Sequence, residues 1–170
     1  MQINRKEYNP LKHDIYKALT VMQPWADLLT KAAYKDESGY CANKKIEVRT
    51  KNTSYRGELL ICSSAKPVID GHLSGVTCGL VELYDTKPIE EFTAEDWENT
   101  CIPEKFRPKK GFGWLMRNPR RVIEMPIKGK LGIYDIVVPK GDIMEYPRSV
   151  SIDAESWKII KEKLTNPRKK

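Results

Sequence analysis

Histidine is nearly absent from this chain: His13 and His72 are the only two in 170 residues. The four cysteines, Cys41, Cys62, Cys78 and Cys101, stand far apart, and no Cys-x-x-Cys pair occurs. Structural zinc sites need closely spaced ligand pairs, so no metal is expected. Cys62 and Cys78 lie inside apolar runs, where a reduced cysteine behaves as a small buried hydrophobe. A Ser-His-Asp set, a phosphate-cradling glycine loop and a dinucleotide fingerprint are all missing, and no cofactor is expected. No apolar run reaches the length of a membrane span. The start, Met1-Gln2-Ile3-Asn4-Arg5-Lys6-Glu7, has charge but lacks the apolar stretch of a secretory leader. These absences point to a soluble, cytoplasmic protein without a membrane partner. With neither repeats nor low-complexity segments, the length suits one domain around one core.

What is abundant is positive charge, at a formal +7. Its distribution is uneven. Between Lys105 and Lys130 nine basic residues face one acid, Glu124, whereas Asp85–Glu98 carries six acids against Lys87. A basic side and an acidic side follow, and a polyanionic partner suits the first, although a merely solvated basic face would look the same.

The chain divides into an N-terminal arm (1–17), a central domain (18–138) and a C-terminal extension with a helix and a basic tail (139–170). Ala18–Met22 is a short β-like run that stops at Gln23-Pro24. Proline suits the first turn of a helix, and Trp25, Leu28, Leu29 and Ala32 then recur at helical spacing, predicting a helix over Pro24–Ala33. Trp25 reads as a core anchor, or as the wall of an anion pocket at that helix start. Lys35–Asn43 reads as a loop by composition. Leu59–Cys62 is apolar at every position and predicts a strand covered on both faces. Ser63-Ser64-Ala65-Lys66-Pro67 offers hydroxyls and a cation suited to phosphate, or alternatively the cap of a short helix over Pro67–Leu73. Glu82 interrupts the strand pattern of Gly79–Tyr84, so it either faces outward or has a partner. Thr93-Ala94-Glu95-Asp96 is a capping box ahead of Trp97. Lys109–Arg117 interleaves cations with Phe112 and Trp114, as base-stacking surfaces do when the rings are exposed; with the rings turned inward it is an ordinary strand. Asn118-Pro119-Arg120 predicts a turn, with strands over Arg121–Met125 and Leu131–Val138. Asp153 is placed to cap a last helix striped by Trp157, Ile160 and Leu164.

The most heavily charged strand pattern is Lys44-Lys45-Ile46-Glu47-Val48-Arg49. Period two puts Lys45, Glu47 and Arg49 on one face and Ile46 and Val48 on the other. A solvated face with cross-strand ion pairs, each worth about 0.2–1 kcal/mol, would account for it. A turn ending in Arg56-Gly57 follows.

Three segments in order, Leu19-Thr20-Val21-Met22-Gln23-Pro24-Trp25-Ala26, Lys44–Arg49 and Tyr55–Ile61, resemble the ASCH domain family. Gly79–Leu83, Gly113-Trp114 and Gly129–Asp135 continue the resemblance, which spans about Ala18 to Val138. It implies an α+β, PUA-like fold: a small, mostly antiparallel β-barrel with flanking helices. It also implies a cleft between the Gln23-Pro24 helix and the barrel, lined by the charged motif and binding RNA. Some relatives look like ribonucleases or amidohydrolases of acylated cytidine, whose acting positions map to Lys44, Glu47 and Glu82. This chain has Glu47 where the amidohydrolases carry threonine, and the longer Lys35–Asn43 segment replaces a short Gly-x-Lys turn. The resemblance also moves the key lysine from Lys45 to Lys44.

The expected partner is therefore RNA or a nucleotide-like ligand, single-stranded rather than duplex. Lys44, Arg49, Arg56 and Lys66 would meet phosphate, Trp25 or Trp114 would stack a base, and Arg117 belongs to the same expected binding set. Gln23, Pro24, Glu47 and Ser63 complete the expected lining. A hydrolase using Lys44 with Glu47 or Glu82 is the alternative. A protein-docking module using the acidic Glu90–Glu98 segment is a third reading, carried by charge alone.

Overall fold

The computed structural model describes residues 2–150 and 154–165, with the side chains of 163–165 left aside. Six strands form one curled sheet in the order β4-β7-β6-β5-β1-β8. They are β1 (His13–Val21), β4 (Ile46–Arg49), β5 (Gly57–Ser63), β6 (Thr77–Pro88), β7 (Phe112–Arg121) and β8 (Ile133–Pro139). All neighbours are antiparallel except β1 and β5, which run parallel. A separate hairpin joins β2 (Ala32–Asp36) to β3 (Gly39–Ala42). Among the described residues three α-helices complete the α+β fold: α1 (Trp25–Thr30), α2 (Ala94–Thr100) and α3 (Ala154–Thr165).

The sheet is a half-barrel rather than the closed barrel the resemblance implies. β4 and β8 are its edges, and they do not pair with each other. Both edges are partly covered. The Lys45 N–H before β4 donates to the Asn99 carbonyl of α2, and the Ile3 N–H donates to Val137 of β8. Covering an edge protects it from pairing with other chains.

β5 shows why the sheet is stable. Leu59 and Ile61 point to one face and join Leu19, Val21, Leu29, Val81, Leu83, Trp114 and Met116. Leu60 and Cys62 point to the other and join Ala18, Leu80, Val122, Ile136 and Val138. Each buried Leu or Ile contributes about 1.5–3 kcal/mol, so β5 anchors two cores, as an all-apolar strand should. Burial pushes the Cys62 thiol up to about 12.

Several local expectations change. β1 begins at His13, inside the segment read as an arm, because His13–Lys17 pair with β8. α1 ends at Thr30, and Ala32 and Ala33 belong to β2. The segment read as a loop is the β2–β3 hairpin. Its polar turn hid it: Asp36 accepts from the Ser38 N–H and hydroxyl, and Gly39 sits at φ +108°. Asn118-Pro119 does not end β7. Leu80 pairs with Arg120 and Glu82 with Arg117, leaving one extra residue on β7. This is a β-bulge, with Asn118 at φ 55° supplying the kink. Pro67–Leu73 forms turns and bends, without the short helix. The capping box is present: Thr93 Oγ1 accepts from Asp96 N–H and Asp96 Oδ2 accepts from Thr93 N–H. Asp153, the Leu164 side chain and the 167–170 tail lie outside the described residues.

Candidate functional site

A hollow of about 360 Å³ opens between the end of β1, the start of α1 and the edge strand β4. Trp25, Lys44, Glu47 and Arg49 line it, with Thr20, Met22, Ser64, Ile102, Lys130 and Leu131. Local structure explains how the Lys44, Glu47 and Arg49 charges meet the Trp25 ring there. Gln23 replaces the missing cap of α1: its Oε1 accepts from the Asp27 N–H while its Nε2 donates to the Leu73 carbonyl. Gln23 is thus a buried structural residue. The Ala26 and Leu28 N–H groups bond Met22 and Pro24 carbonyls, so any anion here would meet side chains rather than those amides.

Lys44 lies just before the β4 alternation and is 1% exposed. Its Nζ donates to the Thr100 carbonyl at 2.6 Å, lies 3.5 Å from Glu47 Oε1 and sits 5.1 Å from the Trp25 ring centroid. Burial pushes its ammonium below the ordinary lysine range, opposed by the Glu47 carboxylate. Glu47, 7% exposed, shares its other oxygen with Arg49 at 3.5 Å. The Arg49 guanidinium rests 5.8 Å from the Trp114 ring, and that indole donates to the Lys51 carbonyl. Lys45 turns away to Tyr34, with which it hydrogen-bonds. The lysine chosen on the resemblance, Lys44, is therefore the one in the hollow.

The remaining expected residues separate. Trp114 is 4% exposed, so its ring supports Arg49 from inside and offers no face to a base. Pro24 is the α1 N-cap. Ser63 is buried and bonded to Val76, while its neighbour Ser64 lines the hollow. Arg56 turns to the Thr53 and Tyr55 carbonyls and the Thr86 hydroxyl. Lys66 is exposed in the following turn and does not line the hollow. Glu82 faces Arg117 in a two-pronged pair at 2.9 and 3.0 Å, and both line a different hollow. Those hydrogen bonds from Arg117 hold the Glu82 carboxyl below the usual carboxylate range. A carboxylate held so low is a poor proton carrier near neutral pH.

The sequence reading did not single out Lys130 and Leu131 for this site. Their signal is the flanking glycines: a Cβ on Gly129 would come within 2.8 Å of Thr20 Oγ1, so glycine lets this loop close on β1, and Gly132 turns at φ +66°. Leu131 is 99% exposed at the mouth. Chemically, the hollow offers a half-buried aromatic ring, one carboxylate, the partly exposed Arg49 guanidinium and the buried Lys44 ammonium behind them.

The ASCH domain profile matches residues 19–128, well over half of the chain. The chain belongs to the ASCH domain family. The match runs from the end of β1 through β7 and stops just before the Gly129–Gly132 loop, so it includes most of the lining of this hollow. No curated protein matches the chain significantly. Among the described residues, no helix is long and apolar enough to cross a membrane.

Proposed function

We propose that this ASCH domain is a PUA-like RNA-binding module that takes a nucleotide of single-stranded RNA, or a modified nucleoside, in the hollow between α1 and β4. The observation that carries this reading is Lys44. A cation 1% exposed, 5.1 Å from an aromatic ring centroid and 3.5 Å from a carboxylate, is costly to keep unless a ligand uses the site. Removing a charge from water costs several kcal/mol even after relaxation. Arg49 at the rim would meet phosphate, Trp25 would lie against the base, and Glu47 would accept from an exocyclic amine or ribose hydroxyl. Phosphate contacts orient the ligand and the pocket supplies selectivity. The test is fluorescence anisotropy with single-stranded RNA across a salt series. Affinity should fall steeply with salt as counterions are released, and Arg49→Ala should weaken it about tenfold and shallow the slope by about one unit. Binding that ignores both salt and Arg49→Ala overturns the reading.

A second reading, a hydrolase of the same hollow, draws support from the lowered Lys44 ammonium beside Glu47. A lysine that sheds its proton more readily can serve as a base or nucleophile. Glu82 is held in its two-pronged pair with Arg117 while Glu47 lies 3.5 Å from Lys44, so the relay in this reading runs through Glu47. Mass spectrometry of acylated nucleosides and RNA oligomers, wild type against Lys44→Ala, separates the two: turnover that vanishes in the variant makes an enzyme, and no turnover leaves a binder.

A further inference from the structure

The β2–β3 hairpin stands where the resemblance implies a short Gly-x-Lys turn, and it adds a wall beside the sheet. β3 packs against β7, and between the hairpin and strands β6–β7 lies a groove of about 710 Å³. Tyr40 and Lys45 line it from the hairpin side, Tyr84 and Arg117 from the sheet, and Arg148 from the segment after β8. Lys44 is part of the wall of both this groove and the smaller hollow, so the two meet at that side chain.

Resting on the reading of the hollow as a nucleotide site, we propose that this groove takes the single-stranded RNA that flanks the held nucleotide. Two guanidinium–ring pairs carry the proposal. Arg117 lies 4.5 Å from the Tyr84 ring centroid, and Arg148 lies 4.6 Å from that of Tyr40. Tyr84 is 40% exposed and Arg117 and Arg148 are exposed, while Tyr40 is half-buried with Lys35 also 5.0 Å from its ring, so the Tyr84 ring and both guanidinium groups are open to a ligand. A guanidinium stacked on a ring keeps its N–H edges free for phosphate while a second ring face can take a base. The pairing of cations with rings is what a single strand uses: phosphates track the cations and unstacked bases lie on the rings. A duplex would keep its bases stacked and leave the rings idle.

The charge balance agrees. Glu82 neutralises Arg117 in its bidentate pair, but Arg148 donates to the neutral Asn118 side chain and, among the described residues, makes no ion pair. With Lys45 beside it and Asp36 the other acid of the lining, the groove keeps an excess of positive charge. The Asn118-Pro119 bulge contributes here too, since Asn118 both lines the groove and holds Arg148 at 2.7 Å. A bulge re-aims side chains at a sheet surface, and this one sets the position of Arg148 over the groove.

The experiment compares two probes on the intact protein: the ribonucleoside 5′-monophosphates, and a single-stranded RNA of about ten nucleotides, within the range of lengths that such grooves accommodate. Wild type, Tyr84→Ala/Arg148→Ala and Arg49→Ala are titrated at low salt, with thermal melts confirming that each variant folds as wild type does. The groove double variant should lose about tenfold or more in affinity for the longer RNA, with a shallower salt slope, and bind the monophosphates within about twofold of wild type. Arg49→Ala should weaken both probes. Longer RNA bound equally well by the double variant, with Arg49→Ala still damaging, overturns the groove and leaves the hollow standing. Wild type that binds neither probe overturns the reading of the hollow, and the groove falls with it. An acidic peptide that binds the groove in preference to the RNA also overturns the proposal.

Discussion

Helix α1 separates two clusters of buried charge that look alike in composition and differ in geometry. On one side Asp27 accepts from Arg121 Nη1 at 2.6 Å and meets His72 Nδ1 at 2.6 Å, and Arg121 also donates to Thr30 and reaches Glu124. On the other side Lys44, Glu47 and Arg49 hold one another at 3.5 Å, and only the Lys44–Thr100 contact is short. Short, saturated contacts leave a charge no capacity for anything else. Longer ones leave lone pairs and N–H groups to spare. The Asp27 cluster therefore ties α1 to β7 and to the loop before β6, and the Lys44 cluster is the one built to receive a ligand.

The largest expected effect falls on the saturated side. Asp27→Ala strands Arg121 and His72 together and should cost about 3–5 kcal/mol, as removing one partner of a buried pair does, read by urea or thermal unfolding. The pH profile carries the same information. Burial raises the Asp27 carboxyl, but hydrogen bonds from His72 and the nearby Arg121 outweigh it and hold the group below the usual carboxylate range. Its contribution is thus fully present above the ordinary aspartate value and is lost as pH falls through the lower folded value. Wild type should lose stability across that acid window, and Asp27→Asn should flatten that part of the curve.

Across the helix the sign reverses. Lys44→Met combined with Glu47→Met replaces both partners of a loosely held buried pair by apolar side chains of similar length, so stability should stay level or rise by about 1–2 kcal/mol. The lowered ammonium of Lys44 imposes its cost in full below its folded value, and the cost fades as pH rises toward the ordinary lysine range. The variant should therefore gain most at neutral pH and converge on wild type under alkaline conditions, while RNA affinity drops about tenfold or more. A variant that loses stability as Asp27→Ala does would make the two clusters equivalent and end the distinction. The smallest effect belongs to Arg49→Ala: with the guanidinium near the rim, stability should shift by less than about 0.5 kcal/mol even as binding weakens.

Some of this geometry was legible in the sequence and some was not, for identifiable reasons. The both-sided burial of Leu59–Cys62 follows from its unbroken apolar run, and the start of α2 from its Thr93–Asp96 box. Alternation alone favoured Lys45, because period two cannot describe Lys44, which precedes the strand; the ordered resemblance to ASCH domains pointed to Lys44, the lysine that lines the hollow. The hairpin was hidden because its turn residues, Asp36, Ser38 and Gly39, have the composition of a loop. Asn118-Pro119 carries turn chemistry that a bulge uses equally well, and local pattern cannot tell the two apart. Arg56 and Ser63 looked like phosphate ligands by type, but their hydrogen-bond capacity goes to nearby carbonyls and a hydroxyl, a tertiary fact that no short motif encodes.

The central claim is that the Lys44–Glu47–Arg49 hollow, beside Trp25, receives the ligand. Its most direct test is a two-dimensional NMR titration of the labelled protein with a short single-stranded RNA at low salt. The account predicts that the Trp25 indole N–H and the amides of residues 44–49 and 129–132 move first and most, and that those of Asp27, Thr30 and Arg121 stay still. Shifts concentrated on the acidic α2 segment or on the Asp27 cluster, with Trp25 and Lys44–Arg49 unmoved, would contradict it.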